Sequence, residues 1–433
     1  MAIEHHTSVA TNVAPLHINE LSLGKRIVSS CDNYFDAHEV KAMIRSSNND
    51  IGATAIRMDG MDEAEIRARD ALLRHVCQTG YGSNKYMIKF VKEERMQDHE
   101  GFEIAATRLA NEDQILSQLS HPNICSIFGR AAEGTEAYYL SGRNDSYFLI
   151  MEQMKETLFD KTRTWRRQRD GAGVVSRRFG TGRGSRSSRA SKSRALLMER
   201  IKVAIDLSSA LSYIHSKGIV HRNIHPGNVG FDDRGNVQLF GFGHAKKLEN
   251  SSSAFSLYGD DPNDCCGGAD NAISPDLVPS RYTANEVLYG EQHGTAADVF
   301  SFTTLLFELL TLPESLKKLR KRCSLDNASS STDVNKDDGI PMELQQLIEQ
   351  GWKRNPLQRP SMKTYEKILR QTYADMEADE KFYIRRSPNV RSKSDPSVTT
   401  TTNNTTTTTP TAANNDNKFR IGRRRPRSKS MGF

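Results

Sequence analysis

The chain has 433 residues, of which 36% are hydrophobic and 26% charged, a balance that fits a soluble globular protein with polar appendages. No stretch approaches ~18 consecutive apolar residues, which excludes a membrane-spanning helix, and Met1–Glu20 lacks a charged-then-apolar leader, so no secretory signal is expected. The formal charge of +7 is unevenly placed: residues 161–195 carry twelve Lys or Arg against one acid, residues 385–433 carry eleven against two, and the remainder is acidic.

In chain order, residues 1–20 read as an N-terminal extension, and 21–40 predict two strands around a turn. Residues 61–77 place Ile66, Leu72, Leu73 and Val76 at helical spacing. KYMIKFV (85–91), bounded by Gly80, Gly82 and Asn84, predicts a buried strand, and YFLIMEQM (147–154) a second. Between them, 102–119 predict a helix with Leu109, Ile115, Leu116 and Leu119 facing inward. Residues 161–195, rich in Gly, Ser and Arg, predict a flexible basic insert. A helix is expected from Ala195 through Ile214, then two short strands around the turn cluster Asp232–Asn236. Residues 249–280 predict a polar loop, helical spacing resumes at 295–311, 341–353 and 361–380, and the low-complexity stretch from residue 384 predicts a disordered tail. The six cysteines form no C-x-x-C pair and read as reduced thiols.

Strands early and helices late suggest an α+β chain. Within 214–243 stand His221-Arg222-Asn223, then Asn228, then Gly241-Phe242-Gly243. This resembles the core of eukaryotic protein kinases, whose pattern is H-R-D-x-x-x-x-N followed by D-F-G. Further landmarks fall in register. Tyr86-Met87-Ile88-Lys89 resembles the V-A-I-K strand, and Glu112 the helix glutamate that pairs with its lysine. Met151 through Met154, including Glu152, resemble the gatekeeper and hinge. Ala284-Asn285-Glu286 resembles A-P-E, Asp298 the buried anchor, and Arg359 the arginine that pairs with the A-P-E glutamate. The resemblance implies a bilobed α+β fold over 21–383, with a sheet lobe at about 21–155 and a helical lobe at about 196–383. It also implies a structural stack of Leu116, Ile127, His221 and Phe242.

Phosphoryl transfer needs a base, a metal site, a phosphate cradle and a lysine–glutamate clamp. Asn223 stands where the base aspartate would be, and an amide accepts no proton. Gly241 replaces the metal-binding aspartate, leaving Asn228 as a lone neutral ligand where hard cations want carboxylates. The loop 27–35 has no glycine, and His225 replaces the family's lysine. Lys89 and Glu112 remain, while Met87 and Gly230 alter the roof and floor of the adenine slot. The resemblance therefore implies a pseudokinase, a scaffold or allosteric regulator in signalling, with signalling proteins such as an active kinase as partners. The alternatives are an active serine/threonine kinase with an atypical site and a basic nucleic-acid-associated protein on a kinase frame. No cofactor or metal is expected; the alternative is weak ATP binding with little Mg²⁺ dependence through Lys89, Glu112, Glu152, Met154 and Asn228. In the tail, Arg391, Ser394 and Pro396 resemble a phosphoserine motif read by 14-3-3 proteins, with a looser copy at Ser428. The expected location is the cytoplasm, with the nucleus as the alternative.

Overall fold

The computed structural model describes residues 13–27, 34–43, 61–78, 85–178, 184–248, 281–291, 293–312 and 340–386. The chain divides into two compact units, Met1–Phe382 and Tyr383–Phe433, and the architecture below is that of the first.

The N-terminal half builds one six-stranded sheet. Its strands are β1 (Ala14–Leu16), β2 (Leu21–Ile27), β3 (Phe35–Met43), β4 (Tyr86–Val91), β5 (Ile127–Ala131) and β6 (Phe148–Glu152), in the order β1-β5-β6-β4-β3-β2. Helices α1 (Glu63–Gln78), α2 (Glu93–Met96), α3 (His99–Leu116) and α4 (Glu136–Ser141) accompany it. Both apolar runs at 85–91 and 147–154 become central strands, paired antiparallel with Lys89 opposite Leu149. Phe148 and Leu149 have no exposed surface, so β6 is buried on both faces, whereas β4 buries Tyr86, Ile88 and Phe90 and leaves Met87 and Lys89 partly accessible on its other face.

After β7 (Glu156–Thr157) the chain is mainly helical: α5 (Leu158–Arg178), α6 (Gly184–Ser216), α7 (Asn285–Leu288), α8 (Thr295–Thr311), α9 (Met342–Gly351) and α10 (Met362–Arg386). Of the short strands β8 (Ile219–Val220), β9 (Val229–Phe231), β10 (Val237–Leu239) and β11 (Lys246–Lys247), β9 and β10 form a hairpin that β7 extends to three strands, and β8 pairs antiparallel with β11. Fifteen of the seventeen α8 residues from Ala296 to Leu310 are buried, which makes this the central helix of the lobe.

Two expectations are corrected. The N-terminal extension does not end at residue 20: β1 adds to the sheet edge, parallel to β5, with Ala14 and Leu16 fully buried. Arg69 of α1 secures it by donating to the Pro15 carbonyl at 3.1 Å and pairing with Glu20. The insert at 161–195 is not a flexible arm where it is described, because α5 covers its start and α6 its end. Trp165 is 1% exposed. The buried C-terminus of α8 leaves carbonyls without helical partners. Arg169 of α5 donates to Leu312 O at 2.8 Å and Arg200 of α6 to Leu309 O at 2.7 Å, so two arginines close that end. Trp165→Ala should lower the unfolding free energy by about 3–5 kcal/mol in chemical denaturation. A change below about 1 kcal/mol would return the segment to a dispensable insert.

Candidate functional site

The site is organised by a carboxylate on each side. On the sheet side, β4 carries Lys89 and α3 carries Glu112. Lys89 Nζ donates to Glu112 Oε2 at 2.6 Å, and the opposite oxygen of that buried carboxylate accepts from the Phe242 backbone at 3.2 Å. The neighbouring Asn111 donates its amide to the carbonyls of Phe242, Gly243 and Ala245, at 3.3, 3.1 and 2.8 Å. Helix α3 is thereby fixed to the Gly-Phe-Gly turn. On the helical side, Asp298 has no exposed surface and accepts from the backbone N–H groups of His221 and Arg222, both at 2.8 Å, and from His215 at 2.9 Å. Burial pushes the Asp298 carboxyl up, but His215 and the backbone donors prevail and hold it below the usual carboxylate range. Arg222 keeps a left-handed backbone, φ +63°, under that constraint.

The expected stack is present: Leu116, Ile127, His221 and Phe242 are all buried, and the His221 and Phe242 rings meet edge-on with centroids 4.6 Å apart. Burial lowers the His221 pKa, and the ring serves packing. Glu286 and Arg359 form the expected pair, with Arg359 Nη2 donating to Glu286 Oε2 at 2.9 Å and both residues buried.

The cleft between these parts has a volume of about 250 Å³. Lys89, Glu112, Met154, Asn223, Asn228 and Gly241 all line it; Glu152 instead ends β6 opposite Tyr86, where burial and then Asp232 and Asp233 raise its carboxyl. Met87 lines the wall, as its sequence position suggests. The floor is altered in a way the sequence did not reveal. A Cβ on Gly230 would sit 2.7 Å from Met154 Cγ and 3.1 Å from the Phe240 ring, so these two side chains take the space that a larger floor residue would fill.

At the reactive positions the chemistry is thin. Asn228 donates its amide nitrogen to the Asn223 carbonyl at 2.9 Å. Gly241 has φ +81°, and a Cβ there would lie 2.6 Å from Asn228 Cγ and Oδ1. The asparagine thus fills the room a carboxylate-bearing residue at 241 would need. Mg²⁺, the metal of kinase chemistry, wants carboxylate oxygens. Gly241 offers none and Asn228 only a neutral amide, and among the described residues no group of three or more His, Cys, Asp or Glu could hold a metal. The residues present do not fit a divalent cation.

Two residues of the lining hold a buried acceptor: Asn223 Oδ1 and Gln153 Oε1 have no hydrogen-bond partner among the described residues. Such atoms cost about 1–3 kcal/mol each until a donor arrives. His225, at the family's lysine position, accepts from the Gly227 N–H at 3.1 Å. Burial first, then His221 and Arg281, lower its pKa to about 4, so it is neutral at physiological pH. Sequence reasoning missed Phe240, Asn111, His244 and Arg108. For Arg108 a signal existed: it stands four residues before Glu112 and therefore on the same helical face. The loop 28–33 and the tail residues Arg391, Ser394, Pro396 and Ser428 lie outside the described residues.

The sequence pattern of the family described as "Protein kinase domain" matches residues 76–374, and the chain belongs to that family. It is similar to "Protein kinase 2" of Dictyostelium discoideum, 35% identical over 113 residues that make up 26% of this chain and 20% of the relative. It is also similar to "Serine/threonine-protein kinase PknD" of Chlamydia muridarum, 24% identical over 261 residues, 58% of this chain and 25% of the relative. "Serine/threonine-protein kinase 12" of Arabidopsis thaliana is 28% identical over 182 residues, 39% and 34% of the two chains. The match to these relatives thus spans between a fifth and about a third of their length. No helix among the described residues is long and apolar enough to cross a membrane.

Gly241→Asp should lower the unfolding free energy by about 1–3 kcal/mol, from positive φ and overlap with Asn228; unchanged denaturation would mean Asn228 gives way freely. His225 predicts acid sensitivity of definite sign. Its pKa is depressed from an ordinary 6.5 to about 4, so the unfolded chain binds the proton first as pH falls. The stability that neutral burial contributes is full above pH 6.5 and is lost as pH falls towards 4. His225→Asn, which keeps an acceptor for Gly227, should flatten the fall in melting temperature over that window.

Proposed function

We propose that this protein kinase family member does not transfer phosphate and works as a pseudokinase, a scaffold or allosteric partner in signalling. The observation that supports this reading is a division of labour among polar groups. Those that hold the fold are intact and paired: Lys89 with Glu112, Asp298 with two backbone donors and His215, Glu286 with Arg359. Those that the reaction would use are an amide at 223 and a glycine at 241. Loss of a general base costs ~10²–10⁴ in rate, or about 3–5 kcal/mol of barrier, and loss of the metal ligand adds to it.

The scaffold half of the proposal rests on α3. In protein kinases the lysine–glutamate pair forms when that helix is correctly placed, and its placement is what activation controls. Here the pair is closed, and Asn111 fastens α3 to the Gly-Phe-Gly turn through three carbonyls. A helix held in one position offers a constant surface to a partner. The printed names of the relatives mark serine/threonine kinases, so serine and threonine are the acceptors to test.

The test is phosphotransfer by the full chain from labelled ATP with Mg²⁺ or Mn²⁺ to itself and to generic serine/threonine substrates. The expected outcome is incorporation no greater than that of Lys89→Ala. Incorporation that disappears in Lys89→Ala would sink the proposal and make the protein an active kinase with an unusual site.

A further inference from the structure

Removing two carboxylates from a kinase cleft does more than remove chemistry. It leaves the phosphate end of the cleft two charge units more positive, which is the charge a divalent cation would otherwise supply. The cations that remain there are held in place. Lys89 Nζ lies 4.2 Å from the Phe35 ring centroid, and the Arg108 guanidinium lies 4.5 Å from the ring of Tyr34 next to it. Two consecutive aromatic residues at the start of β3, Tyr34 and Phe35, therefore carry one cation from α3 and one from β4, and both cations line the cleft. His244, which also lines the cleft, is held neutral: burial first, and then Arg108, Arg222, His221 and Lys89, lower its pKa to about 3. The acids of the lining each have a partner already, one of them within the cleft. Glu112 pairs with Lys89, Glu156 lies 3.5 Å from Lys161, and Asp160 accepts from the Thr157 hydroxyl at 2.7 Å.

The rest of the lining suits a nucleoside. Met87, Met154 and Phe240 give an apolar wall for a base. Asn223 and Gln153, whose side-chain oxygens have no donor among the described residues, also belong to the lining. We infer that the cleft binds a nucleoside triphosphate without a divalent cation, Arg108 together with Lys89 neutralising the phosphates in place of the metal. A guanidinium does this with paired N–H donors matched to phosphate oxygens. The inference rests on the pseudokinase reading, because it takes the misfit of the metal site as its starting point.

The experiment is calorimetric titration of the full chain with ATP, in EDTA and again with Mg²⁺, for the native protein, Arg108→Gln and Arg108→Lys. Melting temperatures of the ligand-free variants confirm that they fold. ATP should bind in EDTA at least as tightly as with Mg²⁺. Arg108→Gln should weaken that binding about tenfold or more, and Arg108→Lys should restore part of it. Affinity that requires Mg²⁺, equal affinity in a folded Arg108→Gln, or no heat at millimolar ATP would each overturn the inference. Absent binding together with absent phosphotransfer removes this inference alone, whereas phosphotransfer removes the pseudokinase reading beneath it.

Discussion

A carboxylate with no exposed surface, Asp298 on α8, sets the geometry on which the rest of the cleft depends. An isolated buried charge would be prohibitively costly, and Asp298 is met on all sides: by the backbone of His221 and Arg222 and by the His215 ring. Those bonds hold Arg222 in a left-handed conformation, from which its guanidinium donates to the His244 carbonyl at 2.6 Å. His221 is then in place to meet Phe242, and Phe242 donates its backbone N–H to Glu112. One continuous set of contacts thus runs from the central helix of the C-terminal part to the lysine of β4.

That arrangement explains why catalytic residues can be lost without loss of the fold. The acids that bear structure are buried and each satisfies several donors, so removing any one strands those donors. Positions 223 and 241 carry no such duty. The Asn223 side-chain oxygen has no partner among the described residues, and Gly241 needs only a positive φ, which glycine adopts without cost. With a glycine at 241, Asn228 sits where a side chain there would lie and bonds to the Asn223 carbonyl.

The altered cleft has its own electrostatics. Its histidines at 225 and 244 are neutral by burial, and its cations rest on aromatic rings. A low-polarity wall around fixed positive charge strengthens attraction for an anion.

Much of the site was legible because its parts sit in short motifs with local spacing. Lys89 lies in an apolar strand, Asn228 lies five residues past Asn223, and Asp298 lies in the first turn of a strongly apolar helix. Such features follow from backbone periodicity and are carried by the chain itself. Strand β1 was not legible: three residues carry too little pattern, and the partner that stabilises them, β5, is more than a hundred residues away. Residues 161–178 read as flexible because Gly, Ser and Arg dominate locally, whereas the burial of Trp165 and the capping of α8 by Arg169 decide their state. Arg108 could be placed on the face of Glu112, but whether that face meets solvent or the cleft depends on the rotation of α3, set by Asn111 and the Gly-Phe-Gly turn. The sequence by itself determined the family frame and the missing carboxylates, since residue identity and local spacing suffice for both. Only the tertiary structure decided which cations, acceptors and ring faces converge on one cavity, since convergence depends on long-range packing that no local pattern encodes.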